Sequence, residues 1–348
     1  MSNKINRDML IGGCTPAFET NAKGKTVEKW VKSPTSGKWH RALNKYNQFG
    51  QTIETFSALP EDSWKSLESA VIGEQSVPMS GVQDLMDAGL VIGESPFFVQ
   101  HEWDVTSEVT AADITVDGEA SDDRDQFQTE RKAITVPVIS KSFRVGFRAM
   151  GAYNSTGRSF STDQAVQAAQ VVAEAKENAL FNGFGDVKIA TASETFGYTN
   201  NPDTNSAAGL SWGTPGNATT VVNNIIAAQA ADNFDSNITI YASQTQYNEI
   251  SGTPRSADNN VTELEFIESI PQITAVRSVK PQFLADGSVL GVSLQRNTVV
   301  WVEAMPFTIV EWQSDDGMTT HWRVMTIAAP RTTSTFANRA GMCLSTGN

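Results

Sequence analysis

The residues able to do chemistry are few and scattered. The chain has three histidines, His40, His101 and His321, and two cysteines, Cys14 and Cys343. His101-Glu102 followed by Asp104 is the one cluster whose residue types could ligate a divalent metal. In a strand, however, successive side chains point to opposite faces, so His101 and Glu102 would diverge and the cluster reads as structural. Asp122-Asp-Arg-Asp125 offers carboxylates to a hard cation but lacks the glycine turn and distal glutamate of a calcium loop. Gly183-Phe-Gly185 lacks the third glycine of a dinucleotide loop and follows a helix where such a loop should follow a strand. No Gly-x-Ser-x-Gly elbow, phosphate loop of the Gly-x4-Gly-Lys-Ser/Thr form or His-Glu-x-x-His pair is present. Asn217-Ala-Thr219 and Asn237-Ile-Thr239 fit a glycosylation pattern that has meaning only in a secreted chain. Two lone cysteines supply neither a disulfide framework nor a Cys-x-x-Cys metal pair. The expectation is a protein with no enzymatic activity, cofactor or metal.

The chemistry that is present is electrostatic. The chain of 348 residues carries a formal charge of −13 at pH 7, unevenly distributed. Residues 1–50 hold nine Lys/Arg against three Asp/Glu, whereas residues 101–130 hold ten Asp/Glu and a single base, Arg124. Lys23, Lys25, Lys29, Lys32 and Lys38 define the basic segment, and Asp117, Glu119, Asp122, Asp123 and Asp125 define the acidic one. Like charges that repel one another within a segment call for partners elsewhere, on another molecule or another part of the chain. Lys141, Arg144, Arg148 and Arg158, or the lysines of the basic segment, are candidates to face the acidic segment, and those lysines also to face a polyanion such as nucleic acid.

These charges must be held by a folded framework, because 40% of the residues are apolar and 19% charged. No run of eighteen apolar residues exists, and the first thirty lack the apolar core of a signal peptide, so the expected compartment is the cytoplasm. The longest regular pattern lies at residues 161–183. Ala165, Ala168, Val172, Ala175 and Ala179 recur at spacings of three and four, Ser161 and Gln164 fit a capping box, and Asn182-Gly183 fits a helix exit. Residues 1–60 show no sustained period and read as an extended arm, with aromatics at Trp30, Trp39, Tyr46 and Phe49 that want a surface to lie on. Short helices are expected from Pro60 and over Met79–Leu90. Phe97–Val109 and Ala133–Arg148 are β-branched and aromatic and read as the two arms of a long hairpin with a polar tip. Such a ribbon is marginal in water unless it packs on something. A polar loop over Phe184–Ala218, helices over Thr219–Ala231, Ser243–Ile250 and Val261–Ile270, and strands at 237–242, 273–276, 289–294, 298–302, 307–312 and 321–328 complete an α+β class.

In this order the parts resemble the major capsid proteins of tailed bacteriophages and their relatives, the encapsulin shell proteins, over roughly Phe97 to Leu344. The resemblance rests on the acidic-tipped hairpin, on Lys141-Ser-Phe-Arg-Val-Gly-Phe147, and on a long helix ending Glu177-Asn-Ala-Leu-Phe-Asn-Gly183. It continues through Gly197-Tyr-Thr-Asn-Asn-Pro202, Ile238-Thr-Ile-Tyr-Ala-Ser243 with Tyr247, Thr262-Glu-Leu-Glu-Phe-Ile267 and Met305-Pro-Phe307. The family's terminal Gly-Gly-Val segment is represented only by Ala340-Gly-Met342.

The resemblance implies the phage major capsid protein fold, with a long spine helix, peripheral and axial domains, an extended β-hairpin loop and an N-terminal arm. Its expected limits are 1–75 for the arm and 97–148 for the hairpin and its base. The peripheral domain would take 149–253, with its spine at 161–183, and 305–348 on return; the axial domain would take 254–304. It further implies a chain that assembles with itself as hexamers and pentamers in the bacterial host cytoplasm and ends in the virion capsid around double-stranded DNA read without sequence preference. Scaffold, portal and decoration proteins are the implied further partners, and no membrane. An encapsulin nanocompartment is the alternative within the class; the long basic arm before any helix favours the phage. An oligomeric enzyme or an adhesion module are the rivals outside it. Some relatives lock the shell covalently through a loop lysine and a neighbour's asparagine, but Ala112–Glu130 contains no lysine. Denaturing electrophoresis of mature particles should therefore give one band at the chain's 37.7 kDa, and covalent ladders would overturn this expectation.

Overall fold

The computed structural model of the chain describes residues 15–16, 18–20, 26–32, 38–46, 52–60, 67, 79–109, 116, 126–156, 163–185, 195–256, 259–315 and 317–347. They fall into two compact units. The first takes 1–78, 138–174 and 306–326; the second takes 79–137, 175–305 and 327–348.

The segment expected as an extended arm contains strands. β1 (Thr15–Pro16), β4 (Trp30–Lys32) and β6 (Thr52–Pro60) all pair antiparallel with β5 (Trp39–Tyr46), while β2 (Phe18–Thr20) pairs with β3 (Thr26–Glu28). β1 to β4, of two or three residues each, are too short to display an alternation, whereas β5 and β6 run for eight and nine. Pro60, where a helix is expected to begin, ends β6 instead; of the residues from there to 78 only Leu67 is described, and it is helical and buried.

Next come α1 (Ser80–Asp87), β7 (Val91–Gly93), β8 (Gln100–Thr106) and β9 (Thr129–Thr135). β8 and β9 pair antiparallel in continuous register from Gln100 opposite Thr135 to Thr106 opposite Thr129. The hairpin is thus shorter at its base than the sequence patterning indicates. Pro137, which has no N–H to give a ladder, follows β9, and the next strand, β10 (Val138–Gly146), joins a different sheet beside β18 (Thr319–Thr332). α2 (Phe147–Thr156) then replaces the strand residues expected up to Arg148.

The long helix is α3 (Asp163–Asn182). In the first unit its Ala165, Ala168, Ala169 and Val172 form a core with Leu67, Ile309, Trp322 and Val324, and Phe143 stacks on Trp322 at 5.6 Å and 14°. Alanines let the sheet approach closely. Ala175, expected in the same stripe, is only half-buried. The Ser161 cap lies outside the described residues.

In the second unit the end of α3 is tied to distant segments. Glu177, almost wholly buried, accepts N–H bonds from Gly81 (2.8 Å) and Val82 (3.1 Å), and so caps α1, whose own N-cap position, Met79, contributes no side-chain bond. Gly81 is required by this approach, since a Cβ there would lie 2.8 Å from Leu180 Cδ2 and 3.1 Å from Glu177 Oε1. α3 ends where Gly183 turns to a φ of +70°. Its last carbonyls are then taken up by the returning chain: Tyr198 N–H donates to Leu180 O (3.0 Å), Thr199 N–H and Oγ1 to Phe181 O (both 2.9 Å), and Asn200 Nδ2 to Asn182 O (2.8 Å). Asn200 Oδ1 accepts the Gly197 N–H at 2.6 Å, which closes the turn. Gly197-Tyr-Thr-Asn-Asn-Pro202 is therefore a helix-terminating device, meeting the need of every helix end for acceptor satisfaction.

β11 (Asn205–Ala208) and α4 (Asn217–Ala231) occupy part of the stretch expected as loop. β12 (Ile238–Ser243), α5 (Gln244–Gly252), β13 (Pro254–Ser256), β14 (Asn259–Thr262), α6 (Glu263–Glu268), β15 (Ile273–Val279), β16 (Ser288–Ser293), β17 (Val299–Gln313), β18 and β19 (Met342–Thr346) complete the chain. The sheet order is β11-β19-β16-β12-β15, with β12 and β16 wholly buried at its centre. Val221, Val222 and Ile225 of α4 pack on Ile238, Ile240 and Ala242 of β12. α6 carries the capping box Thr262/Glu265, and its buried Glu263 accepts from Gly216 N–H and Thr219 Oγ1 (2.6 Å) at the start of α4. The boundaries expected at 253/254 and 304/305 cut through this sheet and through β17, because pairing gathers strands from residue 205 to 346. Two segments expected separately, 298–302 and 307–312, are one strand.

Burial pushes the Glu177 carboxyl above its ordinary range; the bonds from Gly81 and Val82 and nearby Lys280 oppose this, and Asp84 adds to it. A raised folded-state value means that the native chain holds this proton more tightly than the unfolded one. This contribution is therefore largest at low pH and declines as pH rises from the ordinary 4.5 to the raised value. Glu177→Gln cannot titrate. The stability difference between wild type and variant, from denaturant unfolding at pH 4 to 7, should shrink as pH rises; a constant difference would show that this carboxylate titrates normally.

Candidate assembly surfaces

The residues singled out for chemistry do not converge. His101 is buried, its Nδ1 2.7 Å from Glu94 Oε1 and its Nε2 3.2 Å from Arg331 Nη1, and the Arg331 guanidinium lies 5.5 Å from the Trp103 ring centroid. Glu102 and Asp104 turn the other way, to Arg131 at 3.6 and 3.0 Å. The Asp104 hydrogen bond, with the charges of Asp104 and Glu102, raises the Arg131 pKa. Among the described residues no group of three His, Cys, Asp or Glu is arranged to hold a metal, and no helix is long and apolar enough to cross a membrane. Cys343 is buried, its thiol pushed up to about 12 by burial and by Asp232, far from the reactive range. A crevice of about 180 Å³ lies at the hairpin base, between Trp103, Lys132, Phe196, Pro202 and Ser334, with Lys132 Nζ 3.4 Å from Ser334 Oγ.

The described surface presents apolar and charged side chains. Phe97, Phe98 and Val99 before β8, with Val109 and Phe127 beyond the paired strands, are 46 to 65% exposed. They flank the paired ribbon at its two ends, Phe97–Val99 at the base and Val109 and Phe127 toward the tip. The acidic residues Asp117, Glu119, Asp122, Asp123 and Asp125 lie outside the described residues, as do Lys23, Lys25 and Arg158. Lys29 is half-buried between β3 and β4, Lys32 and Lys38 are exposed, and so are Arg144 on β10 and Arg148 in α2.

The long helix offers these acids no charge. Its exposed positions are Gln164, Gln167, Gln170, Val171 and Asn178; its one base, Lys176, is buried, 3.5 Å from Glu303 and over the Trp301 ring. Burial pushes the Lys176 pKa down against the pull of Glu303. The neighbouring sheet differs. Arg323 donates from Nε to Ser142 Oγ at 3.0 Å, its guanidinium lies 5.2 Å from the Trp312 ring centroid, and Trp312 stacks on His321 at 5.3 Å and 10°. Sequence reasoning missed Arg323 and Trp312. The alternation of His321 and Arg323 with Trp322 and Val324 was the available signal, since period two separates a core face from a solvent face.

No curated protein matches the sequence. Solved structures match the fold. The virus-like particle from Pyrococcus furiosus shares 12% identity at a TM-score of 0.57, covering 81% of this chain and 98% of its own. The capsid of Myoviridae phage XM1 shares 11% at 0.60, covering 78% and 92%. The capsid of a native GTA particle shares 12% at 0.54, covering 77% and 90%. The architecture is thus that of tailed-phage major capsid proteins and their virus-like-particle relatives. At the level of sequence, residues 53–344 match the model of a family of unknown function, DUF6260. Since that match takes in most of the chain, the protein belongs to this family, and its fold is the phage major capsid protein fold.

Proposed function

We propose that this chain is the major capsid protein of a tailed bacteriophage, tiling an icosahedral shell as hexamers and pentamers around double-stranded DNA. The observation that carries the reading is fold similarity spanning 92% of a phage capsid chain. The hairpin, flanked by exposed aromatic residues, is in keeping with it. In this reading assembly takes place in the bacterial host cytoplasm, and scaffold, portal and decoration proteins are further partners. Lys23, Lys25, Lys29, Lys32 and Lys38 face the enclosed DNA through phosphates, without sequence preference. The acids at 117–125 face Arg144, Arg148 or Arg158 of a neighbouring subunit. A nanocompartment shell is the second reading, supported by coverage of 98% of the virus-like particle chain.

Expression of the full chain should yield closed particles in electron micrographs and megadalton mass in light scattering; a small oligomer would refute a shell. Nuclease-protected DNA inside particles from infected cells separates a capsid from a protein-filled compartment. Deleting residues 1–50 should impair assembly or DNA retention, and normal infectious particles from that deletion would refute the role given to the lysines.

A further inference from the structure

We propose that His101 is a proton-sensitive latch between the hairpin and β18: when neutral it holds Arg331, and on taking up a proton it releases it. The three residues involved, Glu94, His101 and Arg331, lie in the second unit of a single chain, so the device does not depend on the shell reading. Its donor and acceptor roles follow from the partners. A guanidinium has only donors to offer, so His101 Nε2, 3.2 Å from Arg331 Nη1, is the acceptor and carries no proton. The ring proton then sits on Nδ1 and is donated to Glu94 Oε1, 2.7 Å away. Both ring nitrogens are thus used by a neutral, buried imidazole. A second proton, on Nε2, turns that acceptor into a donor aimed at a donor and sets two cations side by side out of bulk water.

The groups around the ring decide which partner leaves. Glu94, between β7 and β8, touches the ring and keeps its bond to Nδ1 in either state. The carboxylate of Glu303, whose carbonyl accepts the Glu94 N–H, is turned to Lys176. Cations stand on the other side: Arg331 itself, and Arg296, whose carbonyl is 3.5 Å from Arg331 Nη2. Burial, and then the charge of Arg296, already push the Arg331 pKa down, so positive charge is disfavoured at this spot before His101 gains any. From β9, Ile134 lies opposite His101, while Lys132 and Glu130 follow on the same face toward the tip. Glu102, Asp104 and Arg131 point to the opposite face and pair with one another. Trp103 stacks on His101 at 6.1 Å and 24° and has the Arg331 guanidinium 5.5 Å from its ring centroid. The imidazolium therefore stays with Glu94, and Arg331 is released. With it goes a side-chain bond that joins β8 to β18 across 230 positions of sequence, and the hairpin base is held more loosely.

The test is amide hydrogen exchange of the full chain at pH 8 and pH 5.5, with rates corrected for the intrinsic effect of pH. Amides of β8 and β9 should lose protection by roughly tenfold or more in acid, the factor expected for one charge-assisted bond. Amides of β12 and β16, at the sheet centre, should keep theirs. His101→Gln retains an acceptor for Arg331 and cannot titrate, so its β8 and β9 should be protected equally at both pH values. Glu94→Gln keeps an acceptor for Nδ1 but removes the charge that favours the imidazolium, so its loss of protection should begin at lower pH than in the wild type. Equal protection of β8 and β9 at both pH values in the wild type overturns the proposal. A loss shared equally by β12 and β16, or one that persists in His101→Gln, overturns it as well. Should His101→Gln fail to fold, Glu94→Gln decides, and a loss at unchanged pH in that variant refutes the latch.

Discussion

The closing of the long helix at Gly183 is the constraint on which the second unit depends. A helix end inside a protein leaves carbonyls that must find donors. Here the donors come from residues 198–200, so the chain has to double back after a stretch of about a dozen residues. The approach is so close that a Cβ on Gly197 would stand 2.4 Å from the Phe181 carbonyl oxygen. Once that turn is seated, Phe181 meets Tyr198 and Tyr241 edge-on at 5.6 and 5.4 Å, and the central sheet strand β12 is joined to the helix through aromatic packing. One turn below, Glu177 holds α1 by its first N–H groups. Helix, turn, sheet and α1 are four elements brought together by fewer than ten residues.

Buried charge in this unit is used to join elements. Glu177 caps α1 and Glu263 caps α4, each reaching from another helix to free N–H groups. Lys176 lies against Glu303 and Trp301. Removing one partner of such a pair leaves a desolvated group unpaired, a much larger penalty than losing a surface pair. These side chains therefore favour one arrangement of elements over others of similar hydrophobic burial. In the first unit the described cations Arg144, Arg148 and Arg323 remain at the surface.

The sequence by itself determined the class, the long helix with its end, most strands after residue 237, and the separation of basic and acidic segments. Each depends on local chemistry: a period of 3.6, a glycine at positive φ, β-branched runs, or counted charges. It did not determine where the hairpin closes or how the strands are shared. Ala133–Val145 looks like one continuous arm, and only the sheet pairing shows that β9 returns to β8 while β10 leaves after Pro137 for β18. The strand at Met342–Thr346 has no marked pattern, yet its pairing with both β11 and β16 makes it central. The candidate surface was half legible, since Arg144 and Arg148 stand out by sign, whereas Arg323 and Trp312 acquire meaning only through the ring stack and the Ser142 bond that join strands some 180 residues apart. Pairing between distant segments depends on which edges meet, and that is a property of the assembled sheet, absent from any window of the chain.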